Sequence, residues 1–143
     1  MKWVTRKQIR VNRVATAWLI RRFIDPQAEF IFVEPTEVVA VQDRENARGF
    51  DAPGATYPHK DDNGRCSFEA LVEEHCANDI VLREMARMVR GADFAEEINL
   101  TEESPGIRTI SQGFPLVTKD DHETIRKASF LYDALYASLA AKQ

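Results

Sequence analysis

Apolar runs at strand spacing in the first third of the chain give way to helical periodicity over the rest. Residues 2–5 are β-prone, and the basic stretch 6–12 reads as a loop leading into a helix over 13–24. At 100° per residue, Ala15, Thr16, Ala17, Leu19, Ile20, Phe23 and Ile24 share a broad apolar arc, which leaves Val14, Trp18, Arg21 and Arg22 outside it. Asp25-Pro26 stops this helix, and the run 29–33, E-F-I-F-V, is short and apolar enough for an interior parallel strand. Thr36 is placed to cap a second helix over about 37–47, with Val38, Val39 and Val41 inward and Gly49 as its terminator. Phe50 and Asp51 open a third short strand, followed by a long loop marked by Pro53, Gly54, Pro58 and Asn63-Gly64.

From residue 67 onward the pattern is helical. Phe68, Leu71, Val72, His75 and Cys76 fall on one stripe, and Leu82, Met85, Ala86 and Val89 repeat the spacing, with Ser67 and Asp79 as caps. Gly91 is expected to end the second of these helices, and Ser104-Pro105 opens a short one that Gly113 closes. Asp120 and Glu123 form a capping box for the last, which carries Ile125, Ala128, Tyr132, Leu135 and Leu139 inward. The order βαβαβ then helices predicts an α/β fold: a small, mainly parallel sheet of three to four strands with a helical C-terminal half. In such sheets ligands bind beyond the carboxyl ends of the strands, so the 5–13 segment, Pro35-Thr36 and the His59 loop are expected to face one another.

A length of 143 residues fits one domain, here 1–143, and 44% hydrophobic residues suffice for a packed core. Net charge is −4, yet residues 1–24 carry seven cations and no acid, while the other 119 carry 12 positive and 23 negative charges. Overall acidity argues against direct nucleic-acid binding. Two cysteines make no disulfide framework, so a reducing cytoplasm is the expected location. The basic start imitates a targeting segment, but its uncharged run 14–20 is too short for a membrane span and a poor signal core, so neither a membrane nor a leader is expected.

Two constellations bear chemistry. Arg6, Lys7, Arg10 and Arg13 lie between a strand end and a helix start, where free N–H groups and forked guanidinium donors suit a tetrahedral oxyanion. No glycine-rich phosphate loop accompanies them, so no nucleotide is expected. The second is the metal-competent set His59, Glu69, Asp93 and His122, with Cys66 and Asp121 as accessories. Its spacing fits no zinc-finger or HExxH pattern. Asp93 follows a helix C-terminus, where a carboxylate meets the unfavourable end of the dipole and wants a cation, Arg90 or a metal. Asp121 falls on the apolar arc of the last helix, so something is expected to bind it. Cys66 precedes a helix N-terminus that favours a thiolate, whereas His75 and Cys76 read as packing residues. One divalent ion, manganese or zinc, is the candidate cofactor.

W-V-T-R at 3–6, N-R-V-A-T-A-W-L-I-R-R-F-I-D-P at 12–26, H-K-D-D-N-G-R-C-S-F-E at 59–69, R-G-A-D at 90–93, D-D-H-E at 120–123 and L-Y-D-A-L-Y at 131–136 resemble the C-terminal domain of the chromate-resistance ChrB family. The resemblance spans nearly the whole chain and implies a role in chromate response, as sensor or as regulatory accessory to a chromate efflux system. Regulators of that family carry an additional N-terminal region, so a stand-alone version without direct transcriptional control is expected here. Asn12 stands where the family often has Asp, and Lys60 where a second His is common, which depletes or alters any metal set built on those positions. The order of elements before S-F-E is also similar to that of DHH-type manganese phosphoesterases, an analogy of arrangement only.

The resemblance and the residues meet at one point, because chromate is a doubly charged tetrahedral oxyanion. The leading expectation is a chromate-response domain binding an oxyanion, a divalent metal or both. The alternative is a metal-dependent hydrolase in which His59, Glu69, Asp93 and His122 hold the ion against a phosphate or other ester. Chromate reduction through Cys66 is a weaker third reading. A homo-oligomer is the candidate assembly.

Overall fold

The computed structural model describes residues 1–143. Strands β1 (Lys2–Arg6), β2 (Glu29–Val33) and β3 (Arg48–Gly49) form one parallel sheet in the order β2-β1-β3. Val4 of β1 pairs with Ile31 on one side and Gly49 on the other. As the central strand, β1 buries Trp3, Val4 and Thr5 in succession, which is why its sequence lacks clean alternation. The α/β class with a helical C-terminal half agrees with the sequence expectation. No helix is long and apolar enough to cross a membrane.

Helix α1 (Asn12–Leu19) continues into a π-helical turn over Ile20–Ile24, which closes with the Asp25 N–H donating to the Ile20 carbonyl. Val14 and Trp18, expected outside the apolar arc, are buried, whereas Phe23 is partly exposed. The reason is tertiary: helices flank α1 on both sides, and Trp18 donates its indole N–H to Asp133 of the last helix at 2.8 Å. Helix α2 (Val38–Arg44) is shorter than expected and follows a 3-10 turn over Pro35–Glu37 that absorbs Thr36. It stops at Asn46, which is left-handed at φ 51°. Val38 and Val41 pack inward with Val4, Ala47, Ala52 and Ala55, while Val39 is exposed. Gly49 is no helix terminator. It lies in β3, where the Gln42 Oε1 accepts its N–H and a Cβ would come within 2.2 Å of that oxygen.

Helices α3 (Ser67–His75), α4 (Ile80–Asp93), α5 (Ser104–Val117) and α6 (Asp121–Ala140) complete the chain. Cys66 rather than Ser67 is the N-cap of α3, and Asp79 caps α4 as expected. His75 is exposed, paired with Glu74, because α3 ends there and its last turn leaves the core. Gly91 does not end α4. Any Cβ there would lie 2.3 Å from Ser104 Oγ, so this glycine lets α4 and α5 approach closely. Helix α5 likewise runs past Gly113 and through Pro115. At α6, Asp120 accepts the Glu123 N–H and Glu123 reaches back to the Lys119 N–H.

Candidate metal centre

Beyond the carboxyl ends of β1 and β3 the chain turns sharply, and both turns deliver charge to one place. Arg6 is the last residue of β1. The loop after it holds Gln8 and Val11 in left-handed conformations at φ 59° and 48°, a strained choice for the β-branched valine. Burial of Ile9 and Val11 holds that loop in place, as does Asp121, whose carboxylate accepts the N–H groups of Gln8 at 2.9 Å and Ile9 at 2.8 Å. β3 at Arg48–Gly49 lies ahead of the expected start at Phe50, and Asp51 takes φ 52° in the turn that follows it. Its N–H donates to Tyr57, and Tyr57 donates to Gly49, closing the loop that presents His59.

Asp51 is 1% exposed and forms the hub of the site. Its Oδ1 lies 2.9 Å from His59 Nδ1 and 3.5 Å from Arg6 Nη2, while Oδ2 lies 3.4 Å from Arg13 Nη1. Arg6 also donates Nε–H to the Asp51 carbonyl at 2.8 Å. Asp93, the last residue of α4, sits across the imidazole with Oδ2 at 3.5 Å from the same Nδ1. Asn12 donates its amide to Asp93 at 3.3 Å and to Ser67 Oγ at 3.0 Å, and its orientation is fixed because Thr16 donates to its carbonyl oxygen at 2.6 Å. Phe94 packs its ring against the edge of His59, with centroids 5.2 Å apart.

The electrostatics follow from this crowding. Burial, reinforced by the neighbouring Asp51 charge, pushes the Asp93 carboxyl up to about 6. The hydrogen bond to Asp51 raises His59. Burial lowers Arg13, whose Nε is enclosed without a partner. Two carboxylates and an imidazole offer one ligand atom each, all within 4.8 Å of one another. An oxygen-rich set with one nitrogen suits manganese, ferrous iron or zinc.

Other residues singled out from the sequence lie elsewhere. Glu69 caps α3 at the Cys66 N–H and pairs with Arg90 at 2.9 Å. Arg90 divides itself between Glu69 and Glu97, so His59 and Asn12 are the neighbours of Asp93. Cys66 is fully buried, and that burial holds its thiol well above the ordinary range in spite of the helix start. His122 rests edge-on against Phe32, 4.9 Å between centroids, beside a cavity lined by Lys7 and Asp121. Lys7 pairs with Glu34, and Arg10 is exposed. Thus Arg6, Arg13, His59 and Asp93 come together, while Glu69 and His122 do not join them. Asp51 is the member that sequence reasoning missed. A carboxylate immediately beyond a β run, at the end of the sheet where ligands gather, was the available signal.

The model of the family described as ChrB, C-terminal domain, matches residues 3–139. Protein ChrB of Cupriavidus metallidurans is 33% identical over 141 residues, which cover 98% of this chain and 41% of that relative. The chain therefore spans about two-fifths of the length of the curated relative it matches. No solved structure matches it. Since the family model runs from β1 into α6 and takes in all of Arg6, Asn12, Arg13, Asp51, His59 and Asp93, the chain belongs to the ChrB C-terminal domain family.

Proposed function

We propose that this is a chromate-response domain, sensor or regulatory accessory, that binds a divalent cation through Asp51, His59 and Asp93 and, on the cation-loaded site, a tetrahedral oxyanion through Arg6, Arg13 and the exposed Arg10. The observation that carries this reading is the convergence of the three ligand atoms with both guanidinium groups at one end of the sheet. Without a cation, the Asp51 and Asp93 carboxylates offset the Arg6 and Arg13 guanidiniums, and only the exposed Arg10 is left over. A dication adds two positive charges, which favours a dianion such as chromate or sulfate, and frees the arginines from Asp51 to donate outward. Cation and oxyanion should therefore bind cooperatively. The hydrolase alternative needs Glu69 and His122 on the same ion, and no observation favours it, since both are engaged elsewhere.

Metal content of the purified protein, then calorimetric titration with manganese and zinc, tests the first half. Binding should be lost in Asp51→Asn and weakened about a hundredfold in His59→Ala. Equilibrium dialysis of chromate, with and without the cation, tests the second: chromate should bind on the order of tenfold or more tightly to the loaded protein. Cation binding that survives Asp51→Asn, or chromate binding indifferent to the cation and to Arg13→Ala, would overturn the reading.

A further inference from the structure

The outer face of α5 has no work to do in the monomer. Ser104, Ile107 and Ser111 turn inward, and Ser104 donates to the Met88 carbonyl of α4. Gly106, Ile110, Gly113 and Val117, spaced i, i+4, i+7 and i+11, share the opposite side with Leu116 at its edge. Leu116 is 84% exposed, Val117 74% and Ile110 50%. The only charge within the helix, Arg108, is turned toward α4, where it donates to the Ala92 carbonyl at 2.8 Å. A Cβ added at Gly106 or Gly113 would meet nothing within 4 Å, so neither glycine is required by packing inside the chain. A mid-helix glycine costs about 1 kcal/mol relative to alanine, which an approach from outside would offset.

The charges flanking α5 say what approaches. Glu102 and Glu103 precede the helix and Lys119 follows it; all three are exposed and none enters an ion pair within its own chain. Asp120, the other charged neighbour, is occupied by the Glu123 N–H. Acid at one end and base at the other, with an apolar strip between, is complementary to the same helix reversed. We infer that α5 docks on α5 of a second copy of this chain, antiparallel about a two-fold axis passing near Ser111 and Gln112. In that register Ile110 of one protomer fills the space over Gly113 of its partner, Val117 covers Gly106, and Lys119 reaches Glu102 and Glu103, each contact made twice. Opposed helix dipoles add to the match. A helix of 14 residues is about 21 Å long, so this is a small interface of the kind formed in reversible association.

Sedimentation velocity of the whole chain over a micromolar concentration series tests this. The wild type should pass from monomer to dimer. Gly113→Leu, where an added Cβ meets nothing within 4 Å, and Leu116→Glu, at an exposed position, should weaken dimerisation about tenfold or more with an unchanged circular dichroism spectrum. Lys119→Glu should weaken it a few-fold, and Glu102→Lys with Glu103→Lys in the same chain should restore it. A monomer at every concentration, or a dimer indifferent to Gly113→Leu and Leu116→Glu, overturns the proposal. Failure of the charge exchange to rescue overturns the antiparallel register.

Discussion

Asp121 and Asp93 are both carboxylates at helix ends, and the fold treats them in opposite ways. Asp121 sits in the first turn of α6, on the favourable end of its dipole, and accepts two backbone N–H groups from the strained loop after β1. Asp93 sits in the last turn of α4, on the unfavourable end, where burial and, after it, the charge of a second carboxylate push its pKa up to about 6. The first lowers the energy of the folded chain, whereas the second is an energetic burden unless a cation arrives. That contrast separates a structural carboxylate from a ligand more sharply than residue type or spacing does.

Removing each should therefore move stability in opposite directions. Asp121→Ala takes away two hydrogen bonds to a charged acceptor and leaves one partly buried N–H without a partner, so it should cost about 2 kcal/mol, read as a fall in Tm of roughly 8 °C. Cation affinity should stay within about threefold, because no ligand touches Asp121. Asp93→Asn should abolish cation binding yet stabilise the cation-free protein at pH 8 by about 1 kcal/mol, since relief of a buried charge and of carboxylate repulsion outweighs the attraction lost to His59, Asn12 and Arg13. Thermal melts of both variants beside the wild type check the pair. If Asp93→Asn were destabilising at pH 8, the carboxylate would be structural after all.

The same contrast has a pH signature. Because the folded value of Asp93 lies near 6, above the ordinary 3.8, the folded state holds its proton more tightly, and stability falls as pH rises between those values. His59 is raised as well, so the stability it contributes is complete below its ordinary 6.5 and is lost as pH climbs through the raised value. The two groups face each other beside Asp51, so the charge on each biases the titration of the other. Cation-free wild type should therefore lose stability relative to Asp93→Asn as pH rises from 4 to 6, a difference from which the carboxylates lowered in both proteins, such as Asp25, Asp61 and Asp133, drop out. Saturating manganese should restore wild-type stability at pH 8. A difference between the two curves that stays flat from pH 4 to 6 would contradict the raised Asp93.

Much of the fold could be read from residue order, because short apolar runs and helical stripes report each element's own buried face. What those patterns miss is the neighbour. Val14 and Trp18 lie off the arc that marks α1 as amphipathic, yet both are buried, Trp18 against α6. Gly91 and Gly113 carry the same signal as a helix stop, but one is a contact point for Ser104 and the other lies on an open face. The site was half legible. Arg6, Arg13 and His59 follow from the rule that strand ends carry ligands and Asp93 from its place at a helix C-terminus, while Asp51 was hidden because the sequence pattern put it inside a strand rather than in the left-handed turn that follows β3. Glu69 and His122 look like ligands by type alone, and only their partners, Arg90 and Phe32, reveal how they are used.

His122 supplies the smallest and most selective test of that distinction. It is exposed and touches Phe32 edge-on, so His122→Ala should change stability by no more than about 0.5 kcal/mol and leave cation affinity untouched. His59→Ala removes an equally common residue type from a place where it lies 2.9 Å from Asp51 and 3.5 Å from Asp93, and should lower cation affinity by about a hundredfold. Parallel titration of the two variants with manganese makes the comparison direct. Equal losses would mean that the cation is held near the start of α6, and that the convergence of Asp51, His59 and Asp93 serves the fold instead.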